Sequence, residues 1–241
     1  MRVLVIDTAL GLCSAGVFSV EAAGAGWTAR PLGLRSEVMT KGHQERLGGM
    51  ARDAVAEAGG FDGVERIGVT VGPGSFTGLR VGLAFAQGLC AALGRPVVGL
   101  STLDGLAASL EGAGPTAALI DARRGQVYAR FWRDGVAEGP AEALSIEAAR
   151  ARVGRLGPGV RLVGSGAGLI AEGLIAEGLI AVVRGGAGVT VVDLAGPAPG
   201  ALARLAAAAD PAAGPPRPLY LRAPDATPPS RLPGQPRPPA S

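Results

Sequence analysis

Two aspartates follow apolar runs in a pattern that could hold a metal-bound nucleotide. The run 3–6 ends in Asp7, and the similar run 118–120 ends in Asp121. Both runs indicate buried strands, and a carboxylate at the end of such a strand could bind hydrated Mg²⁺ beside phosphates. Asp7 and Thr8 could instead hydrogen-bond the adjacent hairpin turn. The sequence leaves both interpretations open for a possible degenerate nucleotide cleft at Asp7, Thr8 and Asp121.

A glycine-rich loop, GPGSFTG at residues 72–78, follows a predicted strand and precedes a predicted helix. Amides at a helix start can bind an anion, which makes phosphate the first ligand to test. The Walker pattern fails because Leu79 and Arg80, rather than Lys and Ser or Thr, follow Gly78. A dinucleotide-binding pattern fails because Thr77 occupies the place of its third glycine. The other use of the loop is structural, since its glycines give backbone freedom and a Ser or Thr can cap the next helix.

The nucleophiles and metal ligands are few. His43 is the only histidine, and Cys13 and Cys90 lie far apart without metal-ligand spacing. A histidine-based metal site cannot be assembled within one chain, and no Ser-His-Asp or Cys-His system can be argued. We therefore expect no catalytic residue and no metal ligand in this chain. Because His43 begins a predicted helix, we expect it to make a capping or interface hydrogen bond rather than to act as a general base.

Composition argues against several protein classes. The 241 residues are 48% hydrophobic and 4% aromatic, with a formal charge of +3. This basicity is a weak sign of nucleic-acid binding, because no basic run is interleaved with aromatics. The apolar stretch 164–183 is interrupted by Glu172 and Glu177, which argues against a membrane span. Without an apolar leader or a disulfide pattern, the sequence predicts a protein of the reducing cytoplasm.

The first half predicts the order strand, strand, strand, helix, strand, helix, strand. The predicted strands cover residues 3–6, 14–20, 27–34, 66–71 and 96–100. The helix 43–58 carries one apolar stripe at three- and four-residue spacing, and two glycines end it. At the next helix, 79–93, small residues recur every four positions, so that another helix could pack closely within the chain or across an interface. These small residues are Gly78, Gly82, Ala86 and Cys90.

The second half echoes the first, because the Ile-Asp pattern at 120–121 repeats that at 6–7. Predicted strands at 118–121, 126–132 and 160–163 and helices at 145–153 and 201–209 fit an internal duplication. We expect an N-terminal lobe at 1–110, a C-terminal lobe at 111–223 and a disordered proline-rich tail at 224–241. A five-residue repeat at 168–181 fits neither the strand nor the helix period, and we interpret it as a recent local expansion.

The stretch Val71 to Thr102 resembles the central signature of the TsaB family, formerly called YeaZ. Further segments of the family pattern follow in order at 6–14, at the HQERL helix start, and at 120–128, 164–167 and 218–226. The resemblance implies an α/β fold of the two-lobed actin-like, Hsp70-like and sugar-kinase-like (ASKHA) type, with a duplicated β-β-β-α-β-α core. In ATPases of this fold glycines follow each strand-end aspartate. Here Arg123 and Arg124 follow Asp121, which predicts bulky side chains in the cleft.

The family is similar to a larger paralogue, TsaD, whose catalytic metal is held by two histidines four residues apart on one helix. Thr102 and Leu106 occupy those positions here. The resemblance thus implies a non-catalytic dimerisation and scaffold subunit in tRNA N6-threonylcarbamoyladenosine synthesis, with TsaD as transferase and TsaE as regulatory ATPase. No cofactor is expected on this chain alone, since ATP and metal belong to the partner subunits. The tRNA would be the substrate of the complex, and a homodimer could compete with the heterodimer.

We predict that the apolar stripe and the small-residue strip form the partner interface, as two helices of a four-helix contact. The predicted interface residues are His43, Leu47, Met50, Ala54, Gly78, Gly82 and Ala86. Two other functions stay open. One is an independent ATP-binding, kinase-like enzyme of the same fold. The other is a peptidase, an old label for this superfamily, for which the sequence lacks a nucleophile-base pair and metal ligands.

Overall fold

The structure, a computed structural model, describes residues 1–24, 26–176 and 188–222. In these ranges the chain forms two β-sheets flanked by helices. The first lobe contains β1 (Arg2–Asp7), β2 (Leu12–Ala23), β3 (Gly26–Val38), α1 (His43–Glu57), β4 (Arg66–Gly72), α2 (Phe76–Leu93), β5 (Val97–Ser101) and α3 (Thr102–Ala108). The second contains β6 (Thr116–Arg123), β7 (Gln126–Arg133), β8 (Val136–Ala137), β9 (Glu142–Ser145), α4 (Ile146–Leu156), β10 (Arg161–Val163), α5 (Ala167–Ala176) and β11 (Thr190–Val192). A last helix, α6 (Pro199–Ala208), and a 3-10 turn (Pro211–Ala213) follow.

Strand β1 is the centre of the first sheet, whose order is β3-β2-β1-β4-β5. Every β1 residue after Arg2 is buried. This burial follows from helices on both faces, which also explains why the strand is a continuous apolar run rather than an alternating one. Because β1 runs parallel to β4, their carboxyl ends meet at one sheet edge and bring Asp7 beside Thr70.

The second sheet repeats this arrangement with β6 in the place of β1, in the order β11-β10-β6-β7-β8. Strand β6 is antiparallel to β7 and parallel to β10, as β1 is to β2 and β4. Strands β8 and β9 both pair with β7 and together stand where β3 stands in the first sheet. This shared topology confirms the predicted two-lobed α/β fold class and its duplicated core.

Helix α2 begins at Phe76, earlier than the predicted start at Leu79. The Ser75 hydroxyl accepts a hydrogen bond from the Gly78 amide at 3.2 Å, so that the end of the glycine loop forms the first helical turn. Gly94, with a φ of 63°, ends the helix in the left-handed conformation that favours glycine. By length and composition α2 could cross a membrane, and its inner face packs on β4.

Helix α6 corrects the predicted lobe boundary, because it leaves the second lobe and packs on the first sheet. Its side chains lie against residues of β1, β2 and β5 in one buried cluster. Gly68 permits this approach, since a β-carbon there would stand 2.7 Å from that of Ala206. The Arg66 guanidinium holds the end of the helix by donating to the carbonyls of Ala206, Ala207 and Ala209 at 2.7, 2.9 and 2.8 Å. Helix α6 therefore belongs with the first lobe rather than the second.

The first copies of the five-residue repeat are helical. Helix α5 (Ala167–Ala176) buries Ile170, Ala171 and Leu174 against the second sheet, so a period that fits no regular element still places apolar residues on one face over two turns. The rest of the repeat and the predicted tail at 224–241 lie outside the described residues.

Candidate functional site

Asp7 ends β1 inside the protein, with no exposed surface. Its Oδ1 accepts hydrogen bonds from the Thr70 hydroxyl at 2.7 Å and from the Ala9 amide at 3.0 Å. Its Oδ2 is buried without a hydrogen-bond partner among the described residues. Burial raises the pKa of Asp7 to about 6, although the two hydrogen bonds act in the opposite direction. A β-carbon at Gly196 would lie 3.3 Å from Oδ2, which shows how closely the chain covers this carboxylate.

The glycine loop packs against the residues that follow Asp7. A β-carbon at Gly74 would stand 2.3 Å from the Ala9 carbonyl oxygen, and one at Gly78 would stand 2.1 Å from that of Thr8. The Ser75 amide donates to the Ala9 carbonyl at 2.7 Å. The loop therefore uses its glycines, and one of its amides, to bring α2 onto β1. An amide that already donates to a carbonyl is not free to bind phosphate.

Asp121 occupies the matching place at the end of β6 and binds its own turn. Its Oδ1 accepts from the Arg123 amide at 2.8 Å, and its Oδ2 pairs with the Arg123 guanidinium at 3.1 Å. Arg123 and Arg124 have φ angles of 61° and 54°, which turn the chain sharply into β7. The Arg123 side chain is 86% exposed, so it lies at the rim and does not fill the cleft as predicted.

A cleft of about 680 Å³ lies between the lobes. The first lobe contributes Gly74, Ser75 and Phe76 to it, and the second contributes Asp121, Arg123 and Tyr128. Asp7 and Thr8 do not line it, so the structure does not bring the three residues of the predicted nucleotide cleft together. The fold implies Mg²⁺ with a nucleotide, and these residues do not fit that ligand, because one aspartate is covered and the other is paired with arginine. The described residues contain no group of three His, Cys, Asp or Glu side chains that could hold a metal.

His43 begins α1 and its Nε2 lies 3.2 Å from the Leu10 carbonyl oxygen. This contact ties the helix start to the loop after β1, and no side chain of the described residues caps the helix itself. A second pocket of about 300 Å³, lined by Lys41, His43, Ser75 and Thr77, lies where the starts of α1 and α2 meet.

Known proteins match this sequence and structure. A family model for TsaD, described as tRNA N6-adenosine threonylcarbamoyltransferase, matches residues 18–139. TsaB of Escherichia coli, named a tRNA threonylcarbamoyladenosine biosynthesis protein, is 34% identical over 139 residues, which is 56% of each chain. The solved structure of YeaZ from Pseudomonas aeruginosa is 27% identical with a TM-score of 0.66, over 91% of this chain and 99% of that one. The chain belongs to the TsaB family.

The extent of the likeness differs between relatives. The match spans little more than half the length of the E. coli TsaB protein. An uncharacterized protein of Mycobacterium tuberculosis is 35% identical over 228 residues, which covers 94% of both chains. The likeness to YeaZ from P. aeruginosa also covers nearly all of both chains, so that family membership includes both lobes.

The structure of this TsaB-family chain corrects the predicted partner interface. Leu47, Met50 and Ala54 are buried beneath α1, and Gly78, Gly82 and Ala86 are buried between α2 and the first sheet. Of the predicted interface residues only His43 keeps part of its surface exposed. The physical reason is that each helix uses its apolar or small face to cover its own sheet. Helical periodicity identifies a buried face without identifying what buries it.

Helix α3 of this TsaB-family chain starts where the resemblance places the two TsaD histidines. Thr102 and Leu106 are both fully buried in the core. Between them, Asp104 pairs with the Arg130 guanidinium at 2.5 and 2.6 Å. Burial raises the pKa of Asp104, while the charge of Arg130 acts to lower it. Sequence reasoning missed this link between the lobes, because no local pattern marks Arg130 on β7 as the partner of an α3 residue.

Proposed function

We propose that this chain is a non-catalytic dimerisation and scaffold subunit that supports a TsaD-type transferase in tRNA N6-threonylcarbamoyladenosine synthesis. The observation that carries the proposal is the full burial of Thr102 and Leu106, which stand where TsaD carries its metal-binding histidines. The one histidine of the chain lies against the Leu10 carbonyl. In this proposal metal and ATP belong to TsaD and TsaE, and tRNA is the cytoplasmic substrate of the whole complex.

The outer face of α2 is the surface that we assign to TsaD. This helix is apolar enough to pass for a membrane helix, yet only 28% of it is buried. Its outward positions carry small side chains, against which a helix of another subunit could pack closely. These positions include Ala84, Gly88, Ala91 and Ala92, all of them exposed.

Helix α1 packs beside α2, so that the pair offers half of a four-helix contact. TsaD, as a paralogue with a related fold, could complete the contact with its own equivalent pair. A second copy of this chain would present the same face, and a homodimer would therefore compete with the TsaD complex. The proposed interface thus uses the exposed faces of α1 and α2, because their apolar and small-residue faces are buried within the chain.

Reconstitution tests the proposal. The chain, TsaD and TsaE are purified from one source, and threonylcarbamoyl transfer to tRNA is assayed with each protein omitted in turn. We expect transfer to require the chain, the chain to co-elute with TsaD, and the isolated chain to leave Mg-ATP unhydrolysed. Full transfer in its absence would overturn the scaffold role. Turnover of Mg-ATP by the chain alone would favour the kinase-like alternative.

A further inference from the structure

Two aromatic side chains form an exposed pair at the mouth of the interlobe cleft. Phe76 is the first residue of α2, and Tyr220 lies on the segment that follows the 3-10 turn. Their ring centroids are 5.6 Å apart and their planes differ by 31°. Phe76 is 53% exposed and Tyr220 is 49% exposed. Two rings held together at the surface offer a planar apolar ligand a face on which to stack.

Hydrogen bonds made by residues on both sides of Tyr220 hold it in this position. The Leu219 amide donates to the Val71 carbonyl of the first lobe at 2.7 Å. The Arg222 guanidinium donates to the Ala122 carbonyl of the second lobe at 3.0 Å. The segment thus spans the cleft mouth and is anchored at each end, so that the Tyr220 ring is presented in a fixed place.

One guanidinium group contacts the aromatic pair, and two others line the adjacent cleft. The Arg80 guanidinium lies 3.8 Å from the centre of the Phe76 ring, and no carboxylate pairs with it among the described residues. Arg222 and Arg123 line the cleft, where Asp121 pairs with Arg123. This side of the molecule therefore combines guanidinium groups with aromatic faces, although no stretch of the sequence interleaves them.

The cleft continues beyond the aromatic pair. The pocket of about 300 Å³ at the start of α1 shares Thr40 and Ser75 with the cleft of about 680 Å³. Lys41 adds a further cation to that pocket. The two pockets form one groove that is longer than a single base. Its lining carries the cations Lys41, Arg123 and Arg222 and the carboxylates Asp121 and Asp193. Phe76 lines the groove, and Tyr220 and Arg80 stand beside it through their contacts with the Phe76 ring. We call it the aromatic groove.

We propose that the aromatic groove binds single-stranded RNA, with an unpaired base stacked on Tyr220 and the adjoining phosphates near Arg80 and Arg222. A single strand is the ligand that offers flat rings and negative charges in regular alternation, which is the pattern of this groove. An acidic peptide would match the cations and leave the rings without a partner. The proposal rests on the proposed function for the identity of the RNA, which would be an unpaired loop of the tRNA substrate.

Fluorescence anisotropy of the full chain without TsaD tests the proposal. The probe is a labelled tRNA anticodon stem-loop, and the comparison probe is a fully paired duplex of the same length. We expect the stem-loop to bind more tightly than the duplex, and Tyr220→Ala to weaken binding about tenfold through the loss of one stacked base. Tyr220→Phe keeps the ring and should bind within about twofold of the parent chain.

Two arginine variants separate a local contact from a change in net charge. Arg80→Gln should weaken stem-loop binding severalfold and reduce its salt dependence. Arg155→Gln removes the same charge from the exposed end of α4 in the second lobe and should leave binding unchanged. Equal losses in both variants would indicate non-specific attraction and overturn the proposal.

Further outcomes are decisive. Absence of stem-loop binding, equal affinity for the duplex, or unchanged binding by Tyr220→Ala would each overturn the RNA proposal. Displacement of the stem-loop by an equal concentration of ATP would assign the groove to free nucleotide instead. Co-elution of Tyr220→Ala with TsaD is measured on the same preparation. A variant that loses RNA but keeps TsaD supports both proposals, whereas a parent chain that binds RNA and not TsaD refutes the proposed function alone.

Discussion

The Thr8 hydroxyl donates a hydrogen bond to the Gly78 carbonyl oxygen, 2.7 Å away in the buried junction of β1 and α2. The same hydroxyl would lie 2.5 Å from a β-carbon placed on Gly82. The buried Thr8 hydroxyl thus fixes the distance between β1 and α2. That distance can be short because Gly82 has no β-carbon. The small-residue strip serves this junction and is not available to a partner.

Gly82→Leu should therefore destabilise the monomer. Overpacking against Thr8, together with loss of its hydrogen bond, predicts a decrease of about 2–4 kcal/mol in the free energy of unfolding. Urea denaturation followed by circular dichroism measures the change. Gly88→Leu is the matched control, since a β-carbon there meets no atom within 4 Å and the variant should be at least as stable as the parent chain. An unchanged midpoint for Gly82→Leu would contradict this assignment of the strip.

Gly88→Arg should prevent association with TsaD without unfolding the chain. The substitution places a long charged side chain on the exposed small-residue face of α2, and we expect at least a tenfold loss of affinity. Size-exclusion co-elution with TsaD, supported by calorimetry, measures it. Gly154→Arg makes the same change on α4, also at a position where a β-carbon meets nothing within 4 Å, and should co-elute normally. Normal association of both variants would place the interface elsewhere.

Asp7 should make stability depend on pH. Its pKa is about 6 in the folded chain and near the ordinary 3.8 when unfolded, so folding favours the protonated form. The contribution of Asp7 to stability is therefore complete below about pH 4, is lost as the pH rises through 6, and stays constant above that. The difference corresponds to about 3 kcal/mol.

Asp7→Asn isolates this effect, because an amide keeps the Oδ1 acceptor for Thr70 and Ala9 and does not ionise. We expect the unfolding free energy to decrease more between pH 4 and pH 7.5 in the parent chain than in the variant, by the contribution of Asp7. Urea titrations at closely spaced pH values give both curves. Parallel curves would show that Asp7 has an ordinary pKa in the folded chain.

Arg66→Leu should loosen α6. The substitution removes the donor to three carbonyls at the end of that helix, which predicts a loss of about 2 kcal/mol. Hydrogen exchange should show that the substitution accelerates exchange of amides 200–208 more than exchange of amides in α4. Arg95→Leu, at an exposed arginine just after α2, is the control and should change stability by less than about 0.5 kcal/mol. Equal exchange in α6 for the two variants would contradict the anchoring role.

Local patterns were sufficient to predict most elements of the fold. The alternation of strands and helices in the first lobe, and the Ile-Asp echo at 120–121, follow from periodicity and turn residues, and the shared strand order confirms them. The start of α2 was misplaced because a capping serine can draw a glycine loop into the first helical turn.

Long-range relationships could not be predicted in the same way. An apolar face on α6 indicates burial and does not say which sheet it covers, so the lobe boundary was wrong. The same ambiguity placed Leu47 and Gly82 at an interface. Phe76 and Tyr220 are far apart in the sequence and meet only because the C-terminal segment returns to the first lobe. Local sequence patterns therefore could not predict this pair.

Because α6 packs on the first sheet, the sheet is synthesised well before the helix that covers it. One face of that sheet, with Val3, Val5 and Phe18, packs against residues of α6 such as Leu202 and Ala206. A ribosome making this chain releases the first lobe long before it translates the helix that seals it. Until α6 is synthesised, the nascent first lobe exposes this apolar face, to which chaperones can bind. A chain truncated before residue 199 would lack α6 and would leave the same face of its first sheet exposed.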